Sequence, residues 1–252
     1  MSVQIALVGL VVGTLVGLSG VGAGVLMAPT LILLGVHPSI AIGTDLAYGT
    51  VTKWVGTARN AAQGLVSRPW FIWLSVGSMP GTAAGTELTR MMPAAAAEHF
   101  LRVALAVVLL VASLAIIAKE LLAVRGVPAR TVDLAERHRW RIAAVGAAVG
   151  FLVGLTSIGS GSLFMLFLLT CSSLGMRAAV ATDIANAAAL SAVGALLHLA
   201  DGTVNLSLAA NLLVGSVPGI LVGGRLAQYV PARPLKLGVA VLVLASGVKL
   251  VV

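Results

Sequence analysis

Lys53 is the residue whose position most demands a chemical explanation. It lies about 15 residues, or ~20 Å, into an apolar helical segment. An ammonium at that depth is costly unless it faces the interior of a helix bundle or a water-filled cavity. Two carboxylates stand in matching contexts, Thr44-Asp45 and Thr182-Asp183, each about two turns into its own segment. A third feature occurs twice: Gly17-Leu-Ser-Gly-Val-Gly-Ala-Gly24 and Gly154-Leu-Thr-Ser-Ile-Gly-Ser-Gly161. Glycine weakens a helix and permits sharp turns, so both stretches should break one. A broken helix in a membrane exposes backbone N–H groups, tolerated only inside protein or along a cavity, and a half-helix N-terminus favours anions. Gly22, Ala23 and Gly24 are placed to begin one half-helix, and Ser160, Gly161 and Ser162 the other. Gly159 lies in the second turn, and the hydroxyls of Ser19, Thr156, Ser157, Ser160 and Ser162 add donors.

This chemistry suits a small anion held by donors and one ammonium. A carboxylate beside an anion repels it unless protonated or paired, which makes Asp45 and Asp183 candidates for coupling or gating, with Thr44, Thr182 and Asn186. Thr182, Asp183 and Asn186 share a helix face. Asp45 and Lys53 are ~12 Å apart along one helix, too far for a direct bond. Other readings of these residues are tight helix packing through small residues, a cation or metal transporter using Asp45 and Asp183, and an intramembrane serine protease. The protease would use Ser19 of Gly17-Leu-Ser-Gly20 with His198 as base. The twin stretch reads Gly-Leu-Thr-Ser, which suits backbone donors better than a nucleophile.

The elements that position these residues follow from hydropathy. Hydrophobic residues make up 59% of the chain and charged residues 10%, and several apolar runs are long enough to cross ~30 Å of hydrocarbon. The chain is therefore expected to be an all-α polytopic membrane protein. Met1 to Leu15 lacks a basic n-region, so no cleavable signal peptide is expected. Cys171 is the single cysteine, which excludes a disulfide framework and a cysteine metal site. The net charge of +8 comes from cations at the ends of apolar segments, which points to topology control rather than nucleic acid. No cofactor or metal is expected.

Ile5–Leu18 and Val25–Leu34 flank the first glycine stretch, ~21 and ~15 Å long as helices, with Pro29 expected in the first turn of the second. Residues 38–62 form the most polar span, then a turn at 64–69, with Trp70 and Trp73 where an aromatic belt would sit. A segment to about Leu88 and another over His99–Leu122 follow. The order then repeats: Ile142–Leu155, the second glycine stretch, Leu163–Leu169, and Arg177–Ala200 opposite Ser39–Ala62. Ser216-Val-Pro-Gly219 matches Ser78-Met-Pro-Gly81, and Pro231 matches Pro93. Residues 1–122 and 140–252 thus read as two homologous transmembrane repeats joined by a cytoplasmic connector, 123–139. If each glycine-broken pair is a re-entrant hairpin, each repeat adds three spanning helices and the halves are inverted. If each pair crosses once, the halves are parallel and the Arg225–Lys236 cluster falls outside, against the positive-inside tendency. The inverted arrangement is the one expected.

The paired glycine stretches, Gly43-Thr-Asp-Leu46 with Thr52-Lys53, Thr182-Asp-Ile184 and Gly215-Ser-Val-Pro-Gly219 resemble the sulfite exporter TauE/SafE family of prokaryotic membrane transporters, over nearly the whole chain. One departure is that the repeat partner of His198 is Asn60. The resemblance implies transport of small sulfur oxyanions or organic sulfonates, such as sulfite or sulfoacetate, without an ATPase subunit and in the prokaryotic cytoplasmic (inner) membrane. The expected partners are a small anionic substrate and the lipid bilayer. A proton or sodium ion is the candidate for coupling and a homodimer the candidate assembly. In the inverted arrangement both termini are extracytoplasmic. A reporter fused after Val252 that is active only in the cytoplasm is expected to stay dark; a bright one would mean eight spans and parallel halves.

Overall fold

The computed structural model describes residues 2–19, 24–124, 139–227, 229–230 and 232–251. Most of the connector expected at 123–139 therefore lies outside the described residues. Among them are ten helices and no strand: α1 (Ser2–Ser19), α2 (Gly24–Leu33), α3 (Pro38–Ala62), α4 (Arg68–Arg90), α5 (Ala94–Val124), α6 (Arg139–Thr156), α7 (Leu163–Cys171), α8 (Met176–Ala200), α9 (Leu206–Leu226) and α10 (Ala232–Val251). Four of the described helices carry stretches long and apolar enough to cross a membrane by themselves: Ala96–Ile117, Arg139–Thr156, Met176–Ala200 and Leu206–Leu226. The chain is a multi-pass membrane protein.

The helices end where the backbone chemistry requires. Pro38 opens α3 and Pro69 lies in the first turn of α4, where a missing N–H costs nothing. Gly64 and Gly202, at φ 66° and 67°, close α3 and α8 with the same turn. In each, the next residue's N–H reaches back five positions, Leu65 to the Asn60 carbonyl at 3.1 Å and Thr203 to that of His198 at 2.9 Å.

Two glycine-lined seams clamp the bundle. Along α1 and α9, a Cβ on Gly9, Gly13 or Gly17 would come within 2.7, 2.6 or 2.5 Å of the carbonyl oxygens of Leu212, Ser216 and Ile220, while Gly215, Gly219 and Gly223 press on Ala6, Leu10 and Thr14. Along α4 and α6, Gly77, Gly81 and Gly85 meet Ala143, Ala147 and Phe151, and Gly146 faces the Leu74 carbonyl. Residue numbers rise together along both seams, so each pair runs parallel. Without side chains between them the backbones approach closely enough for dispersion to hold helices that hydrophobicity cannot drive together in lipid. Hydrogen bonds from Thr82 Oγ1 to the Gly150 carbonyl (3.1 Å) and from Thr86 Oγ1 to that of Gly154 (3.4 Å) cross the second seam.

Helices α3 and α8 pack against each other between the seams. Leu46 fills the space beside Gly194, and Ile184 that beside Gly56; the start of one helix meets the end of the other, so they run antiparallel. Along α4 and α8 the contacts rise together, from Ser67–Thr182 through Ser78–Asn186 to Thr82–Gly194, so that pair is parallel.

Two sequence expectations are corrected. Pro29 lies in the interior of α2, because the helix begins at Gly24 rather than late. It removes one backbone hydrogen bond from a short helix buried in protein. Trp70 is no belt residue: it is 1% exposed and packs edge-on against Phe167, ring centroids 5.8 Å apart, so it braces α7. Trp73 lies under the Arg139 guanidinium, 5.9 Å from the ring centroid.

Because the added methyl group would meet backbone, Gly13→Ala and Gly146→Ala are expected to lose about 1–3 kcal/mol through overpacking. Gly224→Ala, with open space at the same atom, should cost nothing. Thermal unfolding of the three purified variants in one detergent checks this ranking.

Candidate functional site

Lys53 lies on the α3 face turned toward α8. Its side chain runs back one turn toward Gly49, to 3.3 Å from where a Cβ there would be. The ammonium donates to Ser191 Oγ of α8 at 2.9 Å and to Ser160 Oγ of the second glycine stretch at 3.2 Å. No carboxylate lies within ion-pair distance of it among the described residues, although Asp45 and Asp183 are both within electrostatic reach. Lys53 occupies a lone pair on each serine, so each hydroxyl keeps its proton to give, and neither donates to a described acceptor. Two O–H groups and the third N–H of the ammonium are therefore left without a hydrogen-bonded acceptor among the described residues.

The second glycine stretch supplies one of the two hydroxyls. Its chain turns sharply at Ser157, φ 61°, and Gly159, φ 122°, the latter a conformation that favours glycine. Helix α7 begins at Leu163, later than the sequence reading had it, so Ser160, Gly161 and Ser162 form the turn before it, closed by Leu163 N–H to the Gly159 carbonyl at 3.0 Å. Ser162 is buried, and its Oγ has no hydrogen-bond partner. The partial positive charge of the α7 N-terminus thus adds to the Lys53 ammonium.

Asp45 is 2% exposed and accepts a 2.6 Å hydrogen bond from Ser157 Oγ. Gly24, the first residue of α2, lies against the same pair: a Cβ there would be 2.5 Å from the Ser157 carbonyl oxygen and 3.2 Å from Asp45 Oδ2. The carboxylate therefore occupies the N-terminal end of α2, where a negative charge is favoured. Gly22 and Ala23 lie outside the described residues. Ser19 Oγ donates to the Leu15 carbonyl of its own helix at 2.6 Å.

The remaining residues are divided between positioning and burial. Thr44 Oγ1 accepts the Asn205 N–H at the start of α9 (3.1 Å), and Thr182 Oγ1 the Ser67 N–H at the start of α4 (3.0 Å). Asn186 Oδ1 accepts from Ser75 and Ser78 of α4 at 3.1 and 2.9 Å. Asp183 is buried on α8. His198 Nδ1 bonds Thr203 Oγ1 at 2.8 Å, at the end of α8 away from Lys53. The residue that sequence reading missed is Ser191. It follows Asp183 by the same interval at which Lys53 follows Asp45, so that matched spacing could have flagged it.

A multi-pass helical protein with buried serine hydroxyls around one ammonium, between two long packed helices, is consistent with a membrane transporter. The family model described as sulfite exporter TauE/SafE matches residues 5–250, and the chain belongs to that family. It is 40% identical over 254 residues, the whole of both chains, to Probable membrane transporter protein YjnA of Bacillus subtilis (strain 168). In the same organism it is 28% identical to Probable membrane transporter protein YunE, over 89% of this chain and 86% of that one. It is 27% identical to Probable membrane transporter protein YdhB, over 92% and 93%. No solved structure matches the chain.

Ser157→Ala removes the one hydrogen-bond donor that Asp45 has among the described residues. The variant is expected to lose about 1.5–3 kcal/mol, the range for a bond to a charged group, read as a lower melting temperature in detergent. Ser246→Ala, which removes only an exposed bond to Leu242, should melt with the parent.

Proposed function

We propose that this transporter moves small sulfur-containing oxyanions or organic sulfonates, of the size of sulfite or sulfoacetate. The anion is held near the membrane midplane by Lys53, Ser160, Ser191 and the turn before α7. The observation that carries this reading is the one-sided hydrogen bonding of Lys53: both its partners are hydroxyls left with protons to donate. An oxyanion with three oxygens supplies the acceptors this cluster lacks, and charge-assisted bonds of this kind are the strong ones. The nearby Asp45 and Asp183 oppose an anion unless a proton or a sodium ion accompanies it, which makes transport a coupled process.

The reading includes an inverted-repeat architecture in which α1–α5 correspond to α6–α10. Three observations support it. Corresponding helices α3 and α8 meet antiparallel, as a two-fold axis in the membrane plane requires. The two seams exchange partners, α1 with α9 and α4 with α6. Finally, α4 is parallel to both α6 and α8, so α6 and α8 run the same way and α7 between them must return the chain as a re-entrant segment. Arg59, Arg68, Arg139, Arg141, Arg177, Arg225 and Lys236 fall at the connector end of the bundle, which makes that end cytoplasmic by the positive-inside tendency. The membrane is then a prokaryotic cytoplasmic membrane.

Lys53→Met is expected to abolish binding of sulfite and sulfoacetate while leaving an extractable, monodisperse protein. Lys53→Arg should fail too, since a planar fork cannot reproduce a compact ammonium between two serines. Ligand-dependent thermal shift measures both. Unchanged shifts in the Met variant would overturn the assignment, and protection by metal ions in place of the anions would favour transport through Asp45 and Asp183.

A further inference from the structure

The ends of α3, α4, α5 and α8 opposite the connector enclose a cavity of about 340 Å³, walled by His37, Arg90, Glu98, His198, Asp201 and Thr203 among others. None of these residues belongs to the anion site. His198 is 5% exposed, and its Nε2 is buried with no hydrogen-bond partner. Nδ1 shares a 2.8 Å hydrogen bond with the Thr203 hydroxyl, which also lies 3.1 Å from the His198 carbonyl. In the neutral tautomer with its hydrogen on Nδ1, Nε2 is a bare lone pair.

We infer that His198 Nε2 is a proton-binding site at the wall of this cavity, loaded from the membrane face opposite the connector. A hydronium ion gives its proton to the Nε2 lone pair, water is left behind, and an imidazolium of charge +1 results. That charge is felt on both sides of the ring. Toward the cavity are Asp201 of the same helix end, Arg90 and Glu87 of α4, His37 before α3 and Glu98 of α5. Arg90 pairs with Asp201 at 3.3 Å and His37 with Glu98 at 3.4 Å. Toward the bundle, the ring rests on α3 at Gly43, where a Cβ would lie 3.0 Å from His198 Cβ and Cγ, two residues before Asp45. Helix α9 contributes no charge before Arg225. The loaded proton thus sits against α3 two residues from Asp45, whose side chain leaves a different face of that helix. The counterpart at the opposite end, Asn60, cannot titrate, so loading is one-sided. The proton site stands on geometry alone; its use in coupling rests on the transport reading above.

The test separates the two. Histidine Cε1 hydrogen–deuterium exchange, followed by mass spectrometry on the full chain in lipid nanodiscs from pH 4.5 to 9, reads the protonation of His198 with no substrate present. A sigmoidal profile is expected. Its midpoint should rise in Arg90→Gln, which removes a positive neighbour, and fall in Asp201→Asn, each by about half a pH unit. A flat profile, or a midpoint that neither variant moves, overturns the proton site. In proteoliposomes, uptake of the strong-acid probe isethionate should depend on the pH of the face opposite the connector and lose that dependence in His198→Asn. A titrating His198 with unaltered pH dependence in that variant overturns the coupling. Absence of isethionate uptake in the parent counts against the sulfonate reading and leaves the exchange profile to decide the proton site.

Discussion

Backbone contact between helices is the constraint on which the rest of this molecule depends. In lipid, apolar side chains gain nothing by turning inward, so helices associate through packing distance and hydrogen bonds. Along α1–α9 and α4–α6 the packing distance is set by glycines whose missing Cβ atoms leave room for facing carbonyls. The seams lie on either side of α3 and α8 and fix how far apart those two helices stand. With them fixed, Lys53 of one helix meets Ser191 of the other at hydrogen-bond distance.

Electrostatics in the interior is arranged around a single ammonium and two carboxylates that do not touch it. Asp45 takes one hydrogen bond, from Ser157, and lies at the end of α2, while its Oδ1 is buried without a hydrogen-bond partner; Lys53 is left to serine hydroxyls. The second glycine stretch serves both groups: Ser157 bonds the carboxylate, and Ser160, three residues on, meets the ammonium. The positive φ values at Ser157 and Gly159 are what allow so short a segment to face two ways.

At the opposite end of α8, His198, Asp201 and Thr203 occupy the helix-closing turn that Leu65 and Gly64 form for α3. The same backbone device carries different side chains at the two ends, and the α8 end carries titratable groups around a cavity.

The sequence by itself determined the class, the family, the helix spans to within a few residues and the interior position of Lys53. Hydropathy, helix-breaking glycines and the cost of a buried charge are local properties that need no partner to be read. It also singled out Ser160, whose hydroxyl accepts from the Lys53 ammonium. Sequence could not decide that Trp70 is buried, because an aromatic residue near a helix start looks the same facing lipid or facing Phe167. Pro29 was misplaced for a related reason: a helix that begins inside a glycine stretch has no cap signal to mark its start. The roles of Thr44 and Thr182 as acceptors for Asn205 and Ser67, the hold of Ser157 on Asp45 and the meeting of Lys53 with Ser191 were decided only by tertiary structure. Each joins residues more than a hundred positions apart, brought together by the direction in which helices cross, and that direction is a property of packed backbones that no local pattern encodes.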